Sequence, residues 1–88
     1  MKVRLESGED ADARHFDGNL LLVSSPRAFA PGSPMRFTAT TGDGVRSFEG
    51  RAIGSKRVDE ARFEVRMRFV NLRREDRELL LCTLGHPV

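Results

Sequence analysis

Few side chains in this sequence could do covalent or metal chemistry: His15, His86, Cys82 and the adjacent Ser24 and Ser25. A metal ion needs two or three converging ligands, and neither histidine has a partner at helical or strand spacing. One cysteine closes no internal disulfide and builds no cysteine-based zinc site. Set among leucines, Cys82 reads as a small core side chain. Ser24-Ser25 lacks the strand-turn-helix context of an activated serine, and no glycine-rich loop leads into a helix to hold a phosphate. The acidic pairs Asp59-Glu60 and Glu75-Asp76 fall at a turn and at a helix start, where carboxylates serve folding. The sequence therefore reads as a non-enzyme with no metal site and no cofactor.

Arginine is the other chemistry-bearing residue, and its distribution is uneven. Residues 1–18 carry three basic groups against five acids, whereas residues 51–77 carry nine against five. Such a basic stretch attracts a phosphate-bearing ligand, a nucleic acid or an acidic protein face, or simply tiles a solvated surface. Two arginines within it, Arg66 and Arg68, alternate with apolar residues and so share one face.

Positioning these groups falls to 88 residues, the length of one domain, 1–88, with an expected radius of gyration of about 12 Å. The longest apolar run, Leu20 to Val23, is too short to span a bilayer, and the start of the chain lacks a signal-peptide stretch. A cytoplasmic location without membrane insertion is the expectation. Lys2 to Glu6 has the length of an edge strand, and Ser7 to Asp12 reads as a polar turn or flexible loop, so residues 1–13 are the flexible part of the domain. Strand character begins at Arg14, is interrupted by Asp17-Gly18-Asn19, and resumes as the buried run Leu20 to Val23. Ser24 to Pro34 holds three prolines, which cannot donate to a sheet ladder, and reads as a stiff loop with Phe29 tucked against the body of the domain. An exposed Phe29 would instead be a partner anchor.

Met35, Phe37 and Ala39 alternate with polar residues as in a half-buried strand, and Gly42-Asp43-Gly44 turns the chain into a return strand over Val45 to Val58. Phe63, Val65, Met67 and Phe69 point one way and Arg62, Glu64, Arg66 and Arg68 the other. The period then changes to helical from about Arg73 to Leu84, with Leu79, Leu80, Leu81 and Leu84 as its apolar side. Gly85 follows as a cap and residues 85–88 as a tail. The fold class is all-β with one terminal helix.

In order and spacing these segments resemble the PilZ domain family. The stretch from His15 to Ser24 and the loop ending Ala30-Pro-Gly-Ser-Pro-Met-Arg-Phe look like the middle of such a domain. Phe48-Glu-Gly-Arg-Ala-Ile, Val65-Arg-Met-Arg-Phe-Val-Asn-Leu and Arg73-Arg-Glu-Asp-Arg-Glu-Leu-Leu are similar to its following strands and closing helix. The resemblance spans about residues 14–84. It implies a six-stranded antiparallel β-barrel closed by a C-terminal helix, and a place in cyclic di-GMP signalling.

The family's ligand residues, as the resemblance implies them, are an R-x-x-x-R pair before the first strand and D/N-x-S-x-x-G at the next. Guanidinium groups suit that ligand because they stack on purines and donate in parallel to guanine or phosphate oxygens. This sequence keeps neither half. With Gly18 as the motif glycine, the serine position is His15 and the acidic position Ala13. With the frame begun at Asp12, Asp17 stands where glycine belongs. Only Met1 and Lys2 precede the presumed first strand, and Arg4 and Arg14 are separated by Glu6, Glu9, Asp10 and Asp12. Arg66 replaces the glycine of the "G-V-x-F" strand. Each lost charge-assisted hydrogen bond removes roughly 1.5–3 kcal/mol.

The resemblance is closest to the family's branch without these ligand residues, which acts by binding proteins; its "N-G-G-L-F" segment is similar to Asp17-Gly-Asn-Leu-Leu. The expected function is thus a bacterial adaptor for motility, pilus or surface behaviour that does not hold cyclic di-GMP, with Phe29, Arg66 and Arg68 meeting a protein partner. One alternative is a cyclic di-GMP receptor with rearranged ligands Arg4, Arg14, His15 and Gly18. A second is a nucleic-acid-binding barrel using Arg51, Lys56, Arg66 and Arg68. It is disfavoured because Phe63 and Phe69 point away from those arginines instead of offering a stacking surface.

Overall fold

The computed structural model describes residues 1–42 and 44–84. Six strands, β1 (Lys2–Leu5), β2 (Asp10–Phe16), β3 (Leu20–Ser25), β4 (Pro34–Thr41), β5 (Gly44–Arg57) and β6 (Phe63–Phe69), precede a helix, α1 (Arg74–Leu84). All neighbours are antiparallel, and the order β1-β2-β3-β6-β5-β4 closes on itself as a barrel. The expected class, all-β with one terminal helix, is the observed one, and the radius of gyration is 12.1 Å.

Alternation decides which side chains fill the barrel. Met35, Phe37 and Ala39 of β4 and Val65 and Met67 of β6 point inward and are buried, meeting Val3, Leu5, Phe16, Leu21 and Val23. Burying each of the larger apolar side chains contributes about 1.5–3 kcal/mol. Phe69 packs edge-on against Phe16 at 5.5 Å and tilted against Phe37 and Phe48, which stack on each other at 5.2 Å. Gly50 of β5 faces inward and lies against the Arg68 backbone of β6. A Cβ there would collide with the Arg68 carbonyl oxygen and come 2.5 Å from the Met67 methyl, so only glycine fits.

Several expectations are corrected. The strand expected over Lys2 to Glu6 is β1, paired on both sides and so not an edge, while the later part of the stretch 1–13 expected to be flexible is the first half of β2. The polar loop expected over 7–12 is a short turn, and β2 starts at Asp10. Ala11 and Ala13 are the buried positions, small enough to fit the tight barrel wall while Asp10, Asp12 and Arg14 lie on the outer side. Leu20 to Val23 is not buried throughout: Leu21 and Val23 are in the core, while Leu20 and Leu22 are half-buried on the outer face. Cys82 is exposed, because Leu80 and Leu84 define the helix's inner stripe and Cys82 lies outside it. Leu81 is exposed for the same reason. Gly85 and the tail 85–88 lie outside the described residues, as does Asp43 of the β4–β5 turn.

Asp76 carries a further correction. It sits one turn before Leu80 on the same inward stripe and is buried, so it is more than a solvated helix-start charge. Arg46, at the inward-facing start of β5, meets it with Nη1 donating to Oδ1 at 2.6 Å. This ion pair fastens the helix start to the barrel rim. Asn71, with φ 54, supplies the left-handed residue that turns the chain from β6 toward α1.

Candidate functional site

The N-terminal candidates do not converge. Arg4 faces outward from β1 and pairs with Asp10 at 3.5 Å, whereas Arg14 faces outward from β2 and pairs with Asp12 at 3.1 Å. Arg4 lies opposite Asp10 in the β1–β2 ladder, and Arg14 is four residues further along. At strand rise that places the two arginines about 13 Å apart. Each guanidinium already holds a carboxylate. His15 is exposed at the bulge where the β2–β3 register shifts.

Gly18 occupies the β2–β3 turn with φ 102, a conformation that excludes most other residues. Its open side faces Arg77, whose Nη2 lies 3.4 Å from where a Cβ would stand. Asp17 shapes the same turn. Its Oδ1 accepts from the Asn19 amide at 2.7 Å and the Leu20 amide at 2.8 Å. The Leu20 and Asn19 amides, with a smaller contribution from the nearby His15, hold the Asp17 carboxyl below the usual carboxylate range. This loop is organised by its own aspartate.

Phe29 is half-buried against the core, and its backbone amide and carbonyl are both held by the Ser55 hydroxyl at 2.7 Å. It is therefore a staple between the long loop and β5, packed against the core as the tucked reading expects, with its remaining surface in a small hollow beside Leu5 and Pro34.

Arg66 and Arg68 lie on the exposed outer face of β6. Arg51 of β5 stands directly opposite Arg68, and Arg66 lies between Gly54 of β5 and Leu22 of β3. Like charges directly opposite each other on neighbouring strands repel. Among the described residues neither Arg66 nor Arg68 has an ion pair, while Arg51 donates only to the Gly32 carbonyl, at 3.0 Å. Exposed Ile53 and half-buried Leu20 and Leu22 complete a face of apolar and cationic groups. Both Phe63 and Phe69 turn inward from it.

A third feature has no counterpart among the sequence expectations. A groove of about 1120 Å³ runs beside the first half of β5 and under the connection from β6 to α1. Its walls include Val45, Ser47, Val70, Leu72 and Arg73, and the Arg46–Asp76 pair lies in it. It arises because β6 pairs with β5 only from Gly50 onward and the last bond on that side is from the Val70 amide to the Glu49 carbonyl, leaving Gly44 to Phe48 with β4 as their only strand neighbour among the described residues. Among the described residues, no three metal-ligating side chains converge, and no helix is long and apolar enough to cross a membrane.

Fold and site together define a small closed antiparallel β-barrel with a helix pinned to its rim and a cationic outer sheet. No protein-family model matches the chain, and neither a curated protein nor a solved structure matches it.

Proposed function

We propose that this protein is a PilZ-like adaptor that binds a protein partner in motility, pilus or surface signalling and does not hold cyclic di-GMP. A six-stranded barrel with a C-terminal helix is the architecture that the sequence resemblance implies. The observation that carries the reading is the contrast between two sets of arginines. Arg4 and Arg14, the candidates for gripping a dinucleotide, are about 13 Å apart along the sheet and neutralised by Asp10 and Asp12. Arg66 and Arg68 are clustered with Arg51 on the outer face of the barrel, without ion pairs among the described residues and away from the groove, a placement that suits a protein contact better than a small-molecule cleft. An acidic partner face would relieve the Arg51–Arg68 repulsion, which favours a protein of complementary charge.

Calorimetric titration with cyclic di-GMP tests the reading: no saturable heat is expected in the micromolar range, and a sub-micromolar Kd that Arg14→Ala abolishes would instead establish the receptor. A gel-shift assay at low salt is expected to show no retardation of single- or double-stranded nucleic acid, because the aromatic rings that would stack bases face the core.

A further inference from the structure

The open half of β5 has a definite hydrogen-bonding polarity. The Val70 amide donates to the Glu49 carbonyl at 3.0 Å, so the backbone of Glu49 points toward the β6 side. The Ala52 amide donates to the Ser33 carbonyl at 2.8 Å, and the Gly44 carbonyl accepts from the Thr41 hydroxyl, so even-numbered residues point toward β4. Strand alternation then directs the amides and carbonyls of Val45 and Ser47 into the groove. Among the described residues no strand pairs with them there. Beside this edge Val45 is 70 % exposed and Val70 40 % exposed. Arg4, Arg36 and Arg46 in the groove wall hold Asp10, Glu49 and Asp76, whereas Arg73 has no ion pair among the described residues.

We infer that this edge is a strand-addition site: an extended segment of a partner protein pairs with Val45 and Ser47, carrying an apolar residue beside Val45 and a carboxylate toward Arg73. The register dictates an extended backbone, because two residues spaced by two present alternating donors and acceptors along one line. Apolar and acidic residues on alternate positions match the groove, since successive strand residues face opposite sides. A second copy of the barrel is the weaker occupant. The Val70–Arg73 connection walls the edge, so a single strand enters where a whole sheet edge with its own wall does not, and two copies would appose two sets of arginines.

This inference rests on the adaptor reading and gives it a second contact, apart from the Arg51–Arg66–Arg68 face. Amide exchange by NMR on the full chain, alone and with the peptide acetyl-Thr-Glu-Val-Glu-Val-Thr-amide, tests it. In the free protein the amides of Val45 and Ser47 should exchange at least about tenfold faster than those of Arg46 and Phe48, and the peptide should slow them by a similar factor. Ser47→Pro removes only the groove-facing donor. It should keep the wild-type circular dichroism spectrum and bind the peptide at least about tenfold more weakly. Equal protection of all four amides in the free protein, protection that rises with protein concentration, no slowing by the peptide, or undiminished binding by Ser47→Pro each overturns the strand-addition site. None of those results touches the adaptor reading, which stands or falls with the cyclic di-GMP titration.

Discussion

β5 is one unbroken strand whose two halves meet different surroundings. From Gly50 to Arg57 it pairs with β6, with one register shift between Ala52 and Gly54, and at Gly50 the two backbones approach so closely that no side chain fits between them. From Gly44 to Phe48 it has β4 on one side and a groove on the other. The cause is length: β5 has 14 residues and β6 has 7. The second half is built for close packing and the first half is left with backbone valences to spare. A barrel can thus be closed and still own an open edge, provided one strand outruns its neighbour.

Substitutions along and beside β5 separate the two halves. Gly50→Ala has the largest expected effect, a loss of about 3 kcal/mol, because the clash is with a backbone carbonyl that cannot swing away. Urea denaturation measures it, and a loss below about 1 kcal/mol would show that the β5–β6 contact has room for a methyl group. Asp76→Ala comes next at about 2 kcal/mol, since it removes the charged hydrogen bond that ties the helix start to Arg46 at the barrel rim. A negligible change in the urea midpoint would mean that Leu80 and Leu84 alone dock the helix. Ser47→Pro should cost less than about 1 kcal/mol, because proline at an edge position with its nitrogen toward the groove breaks no ladder bond; a larger loss would contradict the open edge.

Smallest is an effect remote from β5. The carboxyl of Asp17 is held below its ordinary range, so its contribution to stability is complete above about pH 4 and is lost as pH falls through the lowered value. Asp17→Asn should therefore flatten the acid limb of the stability curve below about pH 4 and leave stability at pH 7 little dependent on pH. Thermal melts of both proteins across the acid range measure the difference.

Much of the fold could be read directly. Met35-x-Phe37-x-Ala39 and Phe63-x-Val65-x-Met67-x-Phe69 alternate cleanly because one side of each strand faces the core, and the change of period at Arg73 marks the helix. The start of β2 was hidden because its buried positions are Ala11 and Ala13, whose small side chains give almost no hydropathy contrast among Asp10, Asp12 and Arg14. Cys82 was misplaced because four leucines blurred the helical stripe, which only Leu80 and Leu84 define. The exposure of Arg66 and Arg68 was legible from alternation, but the direct opposition of Arg51 and Arg68 depends on the β5–β6 register, which no local pattern encodes. The groove was out of reach for the same reason: it depends on where one strand stops beside another.

The four-residue β1 is the seam of the molecule, opposite β2 through Lys2, Val3 and Arg4 and opposite β4 through Val3, Arg4 and Leu5. Stripping those residues away would unzip the cylinder into a curved open sheet with two raw margins. Such margins recruit one another between molecules, so a version trimmed of β1 should form oligomers or precipitate more readily than the intact chain. Closure through β1 thus removes two margins at which copies of this barrel could pair.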